Sequence, residues 1–220
     1  AGKSVLMRQR VRLERPDSGK IIVDGIDIVP LSEVELLPLR RKFGMVFQMA
    51  ALFDSMSVFD NVAFPLREHT RLKPKEVRER VMERLRDLSI DHAAKRLPCE
   101  LSGGMQKRVA VARALVLETE ILIYDEPTTG LDPITSRAVD DLITETQARF
   151  GITSIVISHD MASVFRIADT LTYLHQGRML ISAHPDEFLR SRDPILVDFL
   201  EASGVGLEAS GPALGKVSKS

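Results

Sequence analysis

The chain has one cysteine and no long apolar run, and both features limit the classes of protein to which it can belong. Cys99 is the single cysteine of the 220 residues, so they can form no internal disulfide, which suits a reducing compartment. No apolar run approaches the roughly 20 residues that a membrane-spanning helix needs. Lysine and arginine total 30 against 31 for aspartate and glutamate. This near balance lacks the basic excess of nucleic-acid-binding proteins, so we expect no nucleic-acid partner.

The chain also lacks internal repeats, which excludes two copies of one domain. A hydrophobic content of 44% argues against global disorder. With this length it favours one domain that contains a sub-domain. Residues 203–220 are rich in glycine, alanine and serine and are predicted to be a disordered tail. Cys99 is expected to be a small packed residue.

The most informative stretch runs from Leu101 to Pro133. Within it, the apolar residues 121–124 are followed by Asp125 and Glu126, a pattern typical of a strand buried on both faces. Open α/β sheets bind ligands at the carboxyl ends of such strands. Asp125 could hold a metal through water there, and Glu126 could polarise an attacking water. By itself the segment would be interpreted as a strand that enters an acidic turn.

A helix start precedes this strand. Ser102, Gly103 and Gly104 open a helix whose apolar residues recur at helical spacing from Met105 to Val116. The glycines let a ligand approach the backbone closely, and the first turn of a helix presents unpaired N–H groups at its positive end. Together these features predict an anion site suited to phosphate.

This order of motifs resembles the ATP-binding cassette (ABC) ATPases, whose signature segment and Walker B strand look like residues 101–106 and 121–126. The resemblance implies an α/β P-loop NTPase (RecA-like) core over residues 1–202 with a helical sub-domain inserted at about 49–100. It also implies ATP and Mg²⁺ as ligands. In this family two cassettes meet head to tail and bind transmembrane permease subunits at the cytoplasmic face of the membrane.

The first residues, Gly2, Lys3 and Ser4, match the end of the phosphate-binding motif G-x-x-x-x-G-K-[ST]. Val5 stands where many cassettes carry threonine, which puts one hydroxyl contact to phosphate in doubt. The first part of the motif and the strand that should precede it are absent from the 220 residues. We therefore expect the 220 residues to be a fragment of a longer chain. In this fragment, the strands on either side of the absent strand are expected to be left unpaired.

Two further residues follow predicted strands in family order: Gln48 after 44–47 and His159 after 152–157. The other four histidines are interpreted as surface or packing residues. The resemblance assigns Glu126 as general base, with His159 at the γ-phosphate and Gln48 as a sensor of the attacking water. The other roles that it implies are nucleotide binding for Gly2, Lys3, Ser4, Val5, Ser102, Gly103, Gly104, Gln106 and Asp132, and metal binding for Ser4, Gln48 and Asp125.

Within the family, residues 51–54, 62–70 and 124–134 look like the Mla-type branch, whose ATPases drive phospholipid transport. This predicts an ATPase subunit of a bacterial lipid transporter. An amino-acid-type importer ATPase and a degenerate, non-catalytic cassette remain alternatives. Ala51, Leu52 and Phe53 are apolar residues in a predicted loop, and we expect them to line a groove for a membrane subunit.

Turn residues and periodicity predict the other elements. They are a hairpin over 20–28, a helix over 31–41 broken at Pro38, a helix after Ser57 interrupted by Pro65, a helix from Pro74 with a solvated charged face, a helix from Pro133 capped by Asp132, paired strands at 171–174 and 178–181, and helices from Pro185 and Pro194.

Overall fold

The computed structural model describes residues 3–204, so most of the predicted disordered tail lies outside the described residues. The helices of this part are α1 (Lys3–Arg10), α2 (Glu33–Arg40), α3 (Val58–His69), α4 (Pro74–Asp87), α5 (Gly103–Leu115), α6 (Pro133–Phe150), α7 (Met161–Ile167), α8 (Pro185–Leu189) and α9 (Pro194–Ala202). The strands are β1 (Ile22–Val23), β2 (Ile26–Asp27), β3 (Phe43–Val46), β4 (Ile121–Asp125), β5 (Thr153–Ile157), β6 (Leu171–His175) and β7 (Arg178–Ala183).

A parallel sheet of β3, β4 and β5 forms the centre of the molecule. Val46 lies opposite Tyr124, and Asp125 lies opposite Ile157, so all three strands end at one edge. The predicted strand at 121–124 is confirmed, with Leu122, Ile123 and Tyr124 buried. Since parallel strands place their carboxyl ends together, the residues that follow them are neighbours.

The strand predicted at 152–157 is present as β5 but is less buried than a central strand. Thr153 is exposed, and the next three residues are half-buried. Within residues 3–204, β5 pairs with β4 and with no strand on its other edge. A cavity of about 710 Å³ separates that edge from β6, which pairs with β7 in an antiparallel hairpin. Apolar residues of α1, α8 and α9 also line the cavity, and Lys3 and His159 lie at it.

The segment between β3 and α5 is helical, and it packs on α5 through the main hydrophobic core. The stripe predicted on α4 is buried at Val77, Val81 and Leu85. Most of the charged side chains between residues 78 and 86 are exposed, as expected. The core thus ties this helical segment to the helix that begins at Gly103.

Two predicted helix interruptions are wrong. α2 continues through Pro38, and α3 continues through Pro65. The neighbouring Leu36 and Leu66 are fully buried, at 1% and 0% exposure. Packing of these leucines therefore outweighs the helix-breaking tendency of each proline, which removes one N–H donor but leaves the other turns intact.

Cys99 is exposed, so its predicted packed position is wrong. It lies in a short 3₁₀ turn over residues 98–100. Pro98 within this turn and Leu101 directly after it are buried instead. A 3₁₀ turn advances about three residues per turn, so residues two positions apart do not share a face. Along residues 3–204, no helix combines the length and the apolar character needed to cross a membrane.

Candidate active site

The carboxyl edge of the sheet gathers the polar residues that follow its strands. β4 ends at Asp125 and is followed by Glu126, β5 is followed by Ser158 and His159, and Gln48 lies two residues beyond β3. Asp125 and Glu126 are half-buried, whereas His159 and Gln48 are exposed. The residues that were predicted from three separate motifs are therefore neighbours at one edge.

Glu126 is the centre of this cluster. One carboxylate oxygen, Oε2, lies 2.8 Å from His159 Nδ1 and accepts a hydrogen bond from the Thr129 hydroxyl at 3.0 Å. The other, Oε1, lies 3.5 Å from Lys3 Nζ. A carboxylate held between an imidazole and an ammonium group has a defined orientation, which a general base requires.

The backbone at Glu126 is in the left-handed region, with φ of 50°. Side chains with a Cβ rarely adopt this conformation, and such outliers cluster at functional sites. The Glu126 amide donates to the Ile157 carbonyl at 2.9 Å, which attaches the residue to the end of β5. The following turn closes at Gly130, whose φ is 77°. The turn after β4 is thus bent so that its carboxylate faces the strand end that carries His159.

His159 is held by the residue that follows it. Asp160 is the N-cap of α7 and accepts hydrogen bonds from the Ser163 amide and the Thr128 hydroxyl, both at 3.2 Å. The Ser163 hydroxyl in turn donates to Asp140, a buried carboxylate on α6. These contacts connect the turns that follow β4 and β5, so the separation of Glu126 and His159 depends on several elements.

At the amino end of α1, Lys3 donates to the Ser158 carbonyl at 2.9 Å in addition to its contact with Glu126. Val5 is exposed. Ser4 belongs to α1, but its side chain and the whole of Gly2 lie outside the described part of the structure. The structure therefore brings Lys3 to the carboxyl edge, beside Glu126 and the end of β5.

The signature segment is arranged differently. Ser102 is the N-cap of α5, and its hydroxyl accepts from the Met105 amide at 3.4 Å. A Cβ placed on Gly103 or Gly104 would meet nothing within 4 Å, so this chain alone does not require glycine there. Space above both glycines agrees with the close approach of something outside the chain. The side-chain Nε2 of Gln106 instead donates to the Pro98 carbonyl at 3.0 Å.

Asp132 is the N-cap of α6, with Pro133 in the first turn, as predicted. Its carboxylate accepts hydrogen bonds from the Ile134 and Thr135 amides at 2.9 and 3.1 Å. The Thr135 hydroxyl also donates to it and, together with these amides, lowers the pKa of the carboxyl. Because Asp132 is exposed, its own chain leaves it open to a partner.

Three polar residues near the site were not predicted from the sequence. Thr129 contacts Glu126, whereas Lys107 and Arg113 of α5 contact the loop that contains Gln48. Helical spacing gives a signal for Lys107 only, because it shares the buried face of α5 with Val111 and Leu115. A lysine on a buried face needs a polar partner, which the sequence alone does not name.

The donor set suits a hard cation that keeps much of its water. Among residues 3–204, no three His, Cys, Asp or Glu side chains come together to hold a metal. Mg²⁺ fits such a site, because it typically takes one or two protein carboxylates together with water and substrate phosphates. Asp125 and the side-chain amide of Gln48 are two of the oxygen-bearing groups at this edge.

Residues 1–129 match the family model described as ABC transporter. Over 205 residues the chain is 40% identical to "Intermembrane phospholipid transport system ATP-binding protein MlaF" of Haemophilus influenzae. The alignment covers 93% of this chain and 78% of that protein. It is 38% identical to "Probable ribonucleotide transport ATP-binding protein mkl" of Mycobacterium leprae, covering 93% of this chain and 59% of that longer protein.

Among solved structures, the post-hydrolysis dimer of the ATP-binding cassette MJ0796 bound to ADP and phosphate superposes with a TM-score of 0.71. It is 32% identical and covers 84% of this chain and 81% of its own. The parallel sheet, the signature helix and the two carboxylates at the end of β4 agree with these matches. This chain therefore belongs to the ABC transporter family, as an ATP-binding subunit with the α/β P-loop NTPase fold and with similarity to the Mla-type branch.

Proposed function

We propose that the chain hydrolyses ATP at the carboxyl edge of its sheet, with Glu126 as the general base, and that this reaction powers phospholipid transport. The observation that carries the proposal is the contact of Glu126 with both His159, at 2.8 Å, and Lys3, at 3.5 Å. This reaction requires a fixed carboxylate that accepts a proton and, beside it, a cation that binds phosphate. A non-catalytic cassette would not need that arrangement.

The residues at the edge divide the work of the reaction in this proposal. Lys3 binds the phosphates and releases Glu126 when it does so, which frees the carboxylate to accept a proton from water. His159 donates to the γ-phosphate while Glu126 orients its ring. The phosphoryl group passes through a loose transition state, so positioning and charge stabilisation supply most of the rate.

Mg²⁺ would be held by Asp125, Gln48 and Ser4, and when bound it would neutralise charge between the β- and γ-phosphates. Asp125 ends β4 and Gln48 follows the adjacent strand β3, so in this proposal both reach one side of the nucleotide. Thr129 keeps Glu126 turned toward the reacting phosphate through its 3.0 Å hydrogen bond. These side chains bind and orient, and only Glu126 exchanges a proton.

The signature segment serves the nucleotide of a second cassette in this proposal. Ser102, Gly103 and Gly104 present helix N–H groups with open space above them. In residues 3–204, no hydrogen bond or ion pair joins them to Lys3 or Glu126. A head-to-tail dimer would bring the signature of one chain over the phosphates of the other, with Asp132 near the contact.

A membrane subunit is the other proposed partner, bound on the helical segment 49–100 at the cytoplasmic face. Phe47, Met49 and Phe53 expose 41%, 84% and 41% of their surface next to Gln48. We call these three residues the loop patch. Leu52, which was predicted to line this groove, is half-buried and packs against the core. Apolar patches of this kind mark sites for other proteins.

The substrate is proposed from the relatives, whose names differ. MlaF is described with phospholipid transport and mkl with ribonucleotide transport. The motifs at 51–54, 62–70 and 124–134 favour the phospholipid branch. An amino-acid importer is the second candidate, because its ATPases share much of the same sequence pattern.

The test is transport by the full-length protein, purified with the membrane proteins that accompany it and reconstituted in vesicles. ATP should drive transfer of a fluorescent phospholipid to acceptor vesicles, and the Glu126→Gln complex should bind ATP without transfer. Stimulation of ATP hydrolysis by ribonucleotides or amino acids, with no lipid transfer, would overturn the phospholipid assignment. ATP hydrolysis that is unaffected by Glu126→Gln would overturn the catalytic one.

A further inference from the structure

The loop that contains Gln48 adopts an unfavourable backbone conformation. Ala50 and Ala51 are consecutive and both left-handed, with φ of 59° and 47°. An L-residue with a Cβ pays for this conformation through contact with its own carbonyl, and two in succession are rare. The loop makes two short backbone bonds of its own, from Ala50 to Phe47 and from Ala51 to Met49. Its conformation therefore needs support from outside the loop.

That support comes from two cations on α5. Lys107 Nζ donates to the Gln48 carbonyl and, at 3.4 Å, to the Phe47 carbonyl. Arg113 donates to the Ala51 and Ala50 carbonyls at 2.8 and 3.0 Å. Together the two side chains bind four of the five carbonyls between residues 47 and 51.

Lys107 is an unusual residue for this purpose. It is 7% exposed, and within the described part of the chain it makes no ion pair with a carboxylate. Burial lowers the pKa of its ammonium group. A buried lysine that is partnered by backbone carbonyls alone is costly for stability, because the charge is only partly compensated. An apolar residue would satisfy this face of the helix, whose neighbours Val111 and Leu115 are buried.

Arg113 has a second contact that reaches the surface. Its guanidinium carbon lies 5.7 Å from the centre of the Phe53 ring, which belongs to the loop patch. Phe53 is in turn fixed by Asn61, a fully buried side chain that bonds both the amide and the carbonyl of Phe53. The same helix therefore contacts both the loop that contains Gln48 and the surface beside it.

We propose that Lys107 and Arg113 are positioning residues that set the place of Gln48 from the signature helix α5. α5 begins at Gly103, so a shift of this helix moves the two cations and the four carbonyls with them. The proposal rests on the proposed function, in which Gln48 acts at the catalytic site. It adds that the signature segment of a chain is mechanically connected to Gln48 of the same chain.

The test measures ATP hydrolysis by the full-length protein with Lys107→Met, Gln48→Ala and the double variant. Lys107→Met keeps the apolar stem and removes the donors, so kcat should fall roughly 10-fold to 100-fold through displacement of Gln48. Nucleotide affinity, measured by equilibrium binding, should stay within about twofold, since no phosphate ligand is lost. Lys107→Arg, which keeps N–H donors at this position, should retain most of the wild-type kcat.

The double variant is decisive, because residues that act through each other are not additive. Lys107→Met should lower kcat little further once Gln48→Ala is present. Arg108→Met is the matched control, since Arg108 is on the same helix but donates to the Leu88 carbonyl at the end of α4. Its kcat should equal that of the wild type. Arg113→Met gives a second way to release the loop and should reproduce the loss in kcat if Lys107→Met does not fold.

Three results would overturn the proposal. Folded Lys107→Met and Arg113→Met proteins with wild-type kcat, beside an impaired Gln48→Ala protein, would show that the cations do not position Gln48. Effects of Lys107→Met and Gln48→Ala that multiply in the double variant would show the same. An unimpaired Gln48→Ala protein would instead remove Gln48 from the proposed reaction, and the positioning role would fall with it.

Discussion

The carboxyl edge of the sheet and the start of α5 are both proposed to contact phosphate, but they differ in what their own chain supplies. At the edge, Glu126 contacts Lys3 and His159, so charges of both signs are already paired. At the start of α5, Ser102 bonds only the backbone of its own first turn, and the two glycines face open space.

The difference indicates which groups act in one chain and which need another. At the edge, His159 and Thr129 already orient Glu126, so in the proposed function only its contact with Lys3 has to change when Lys3 binds phosphate. N–H groups at the start of a helix gain most from an anion that comes from outside. In the proposed function the edge therefore acts as the catalytic centre, and the start of α5 serves the nucleotide of a neighbouring copy.

The largest expected effect is that of Glu126→Gln at the edge. Loss of the general base should lower ATP hydrolysis by roughly 10²–10⁴ while ATP binding remains. Phosphate release by the purified transporter, with ATP binding measured in parallel, checks this. Glu118→Gln is the control, because Glu118 is an exposed carboxylate that pairs with Arg80 away from the edge. An equal loss in both variants would contradict the assignment.

The second prediction asks whether the two regions act in different chains. Ser102→Arg and Lys3→Ala should each abolish ATP hydrolysis in a pure dimer. A one-to-one mixture with free exchange should regain about a quarter of wild-type activity, since half of its dimers hold one intact site. Hydrolysis after mixing and re-isolation is the measurement. A mixture as inactive as its components would place both regions at one site of one chain.

The third prediction concerns the loop patch, which lies beside Gln48 and outside both regions. Met49→Asp should detach the protein from its membrane partner while nucleotide binding stays unchanged, because Met49 is 84% exposed and contributes little to the fold. Co-purification with membranes measures it. Met179→Asp is the matched control for Met49→Asp, since Met179 is also an exposed methionine, at 64%, but lies on β7. Normal membrane recovery of the Met49 variant would refute the docking site.

The smallest expected effect compares two serine caps. Ser102 caps α5 and Ser57 caps α3, so alanine at either position should cost about 1 kcal/mol of unfolding free energy. Urea denaturation measures that loss. Only Ser102→Ala should also reduce ATP hydrolysis, because Ser57 is on the helical segment away from phosphate. Equal activities would mean that Ser102 serves the helix alone.

Much of the site could be predicted because its residues are tied to local patterns. Asp125 and Glu126 follow an apolar strand, and Asp132 precedes a proline at a helix start, as the structure has them. The roles assigned to these residues stay predictions. Thr129 was not identified, because a threonine in a turn gives no sign of the carboxylate that it will contact.

The sequence by itself determined the elements whose hydrogen bonds close within a few residues. The caps, the hairpins and the apolar stripe of α4 belong to this group, because periodicity and turn residues describe them fully. Tertiary structure decided what depends on distant residues. Lys107 meets Gln48 across 59 positions, and Lys3 meets Ser158 across 155. α2 and α3 continue through their prolines because of tertiary packing, which no local sequence pattern predicts.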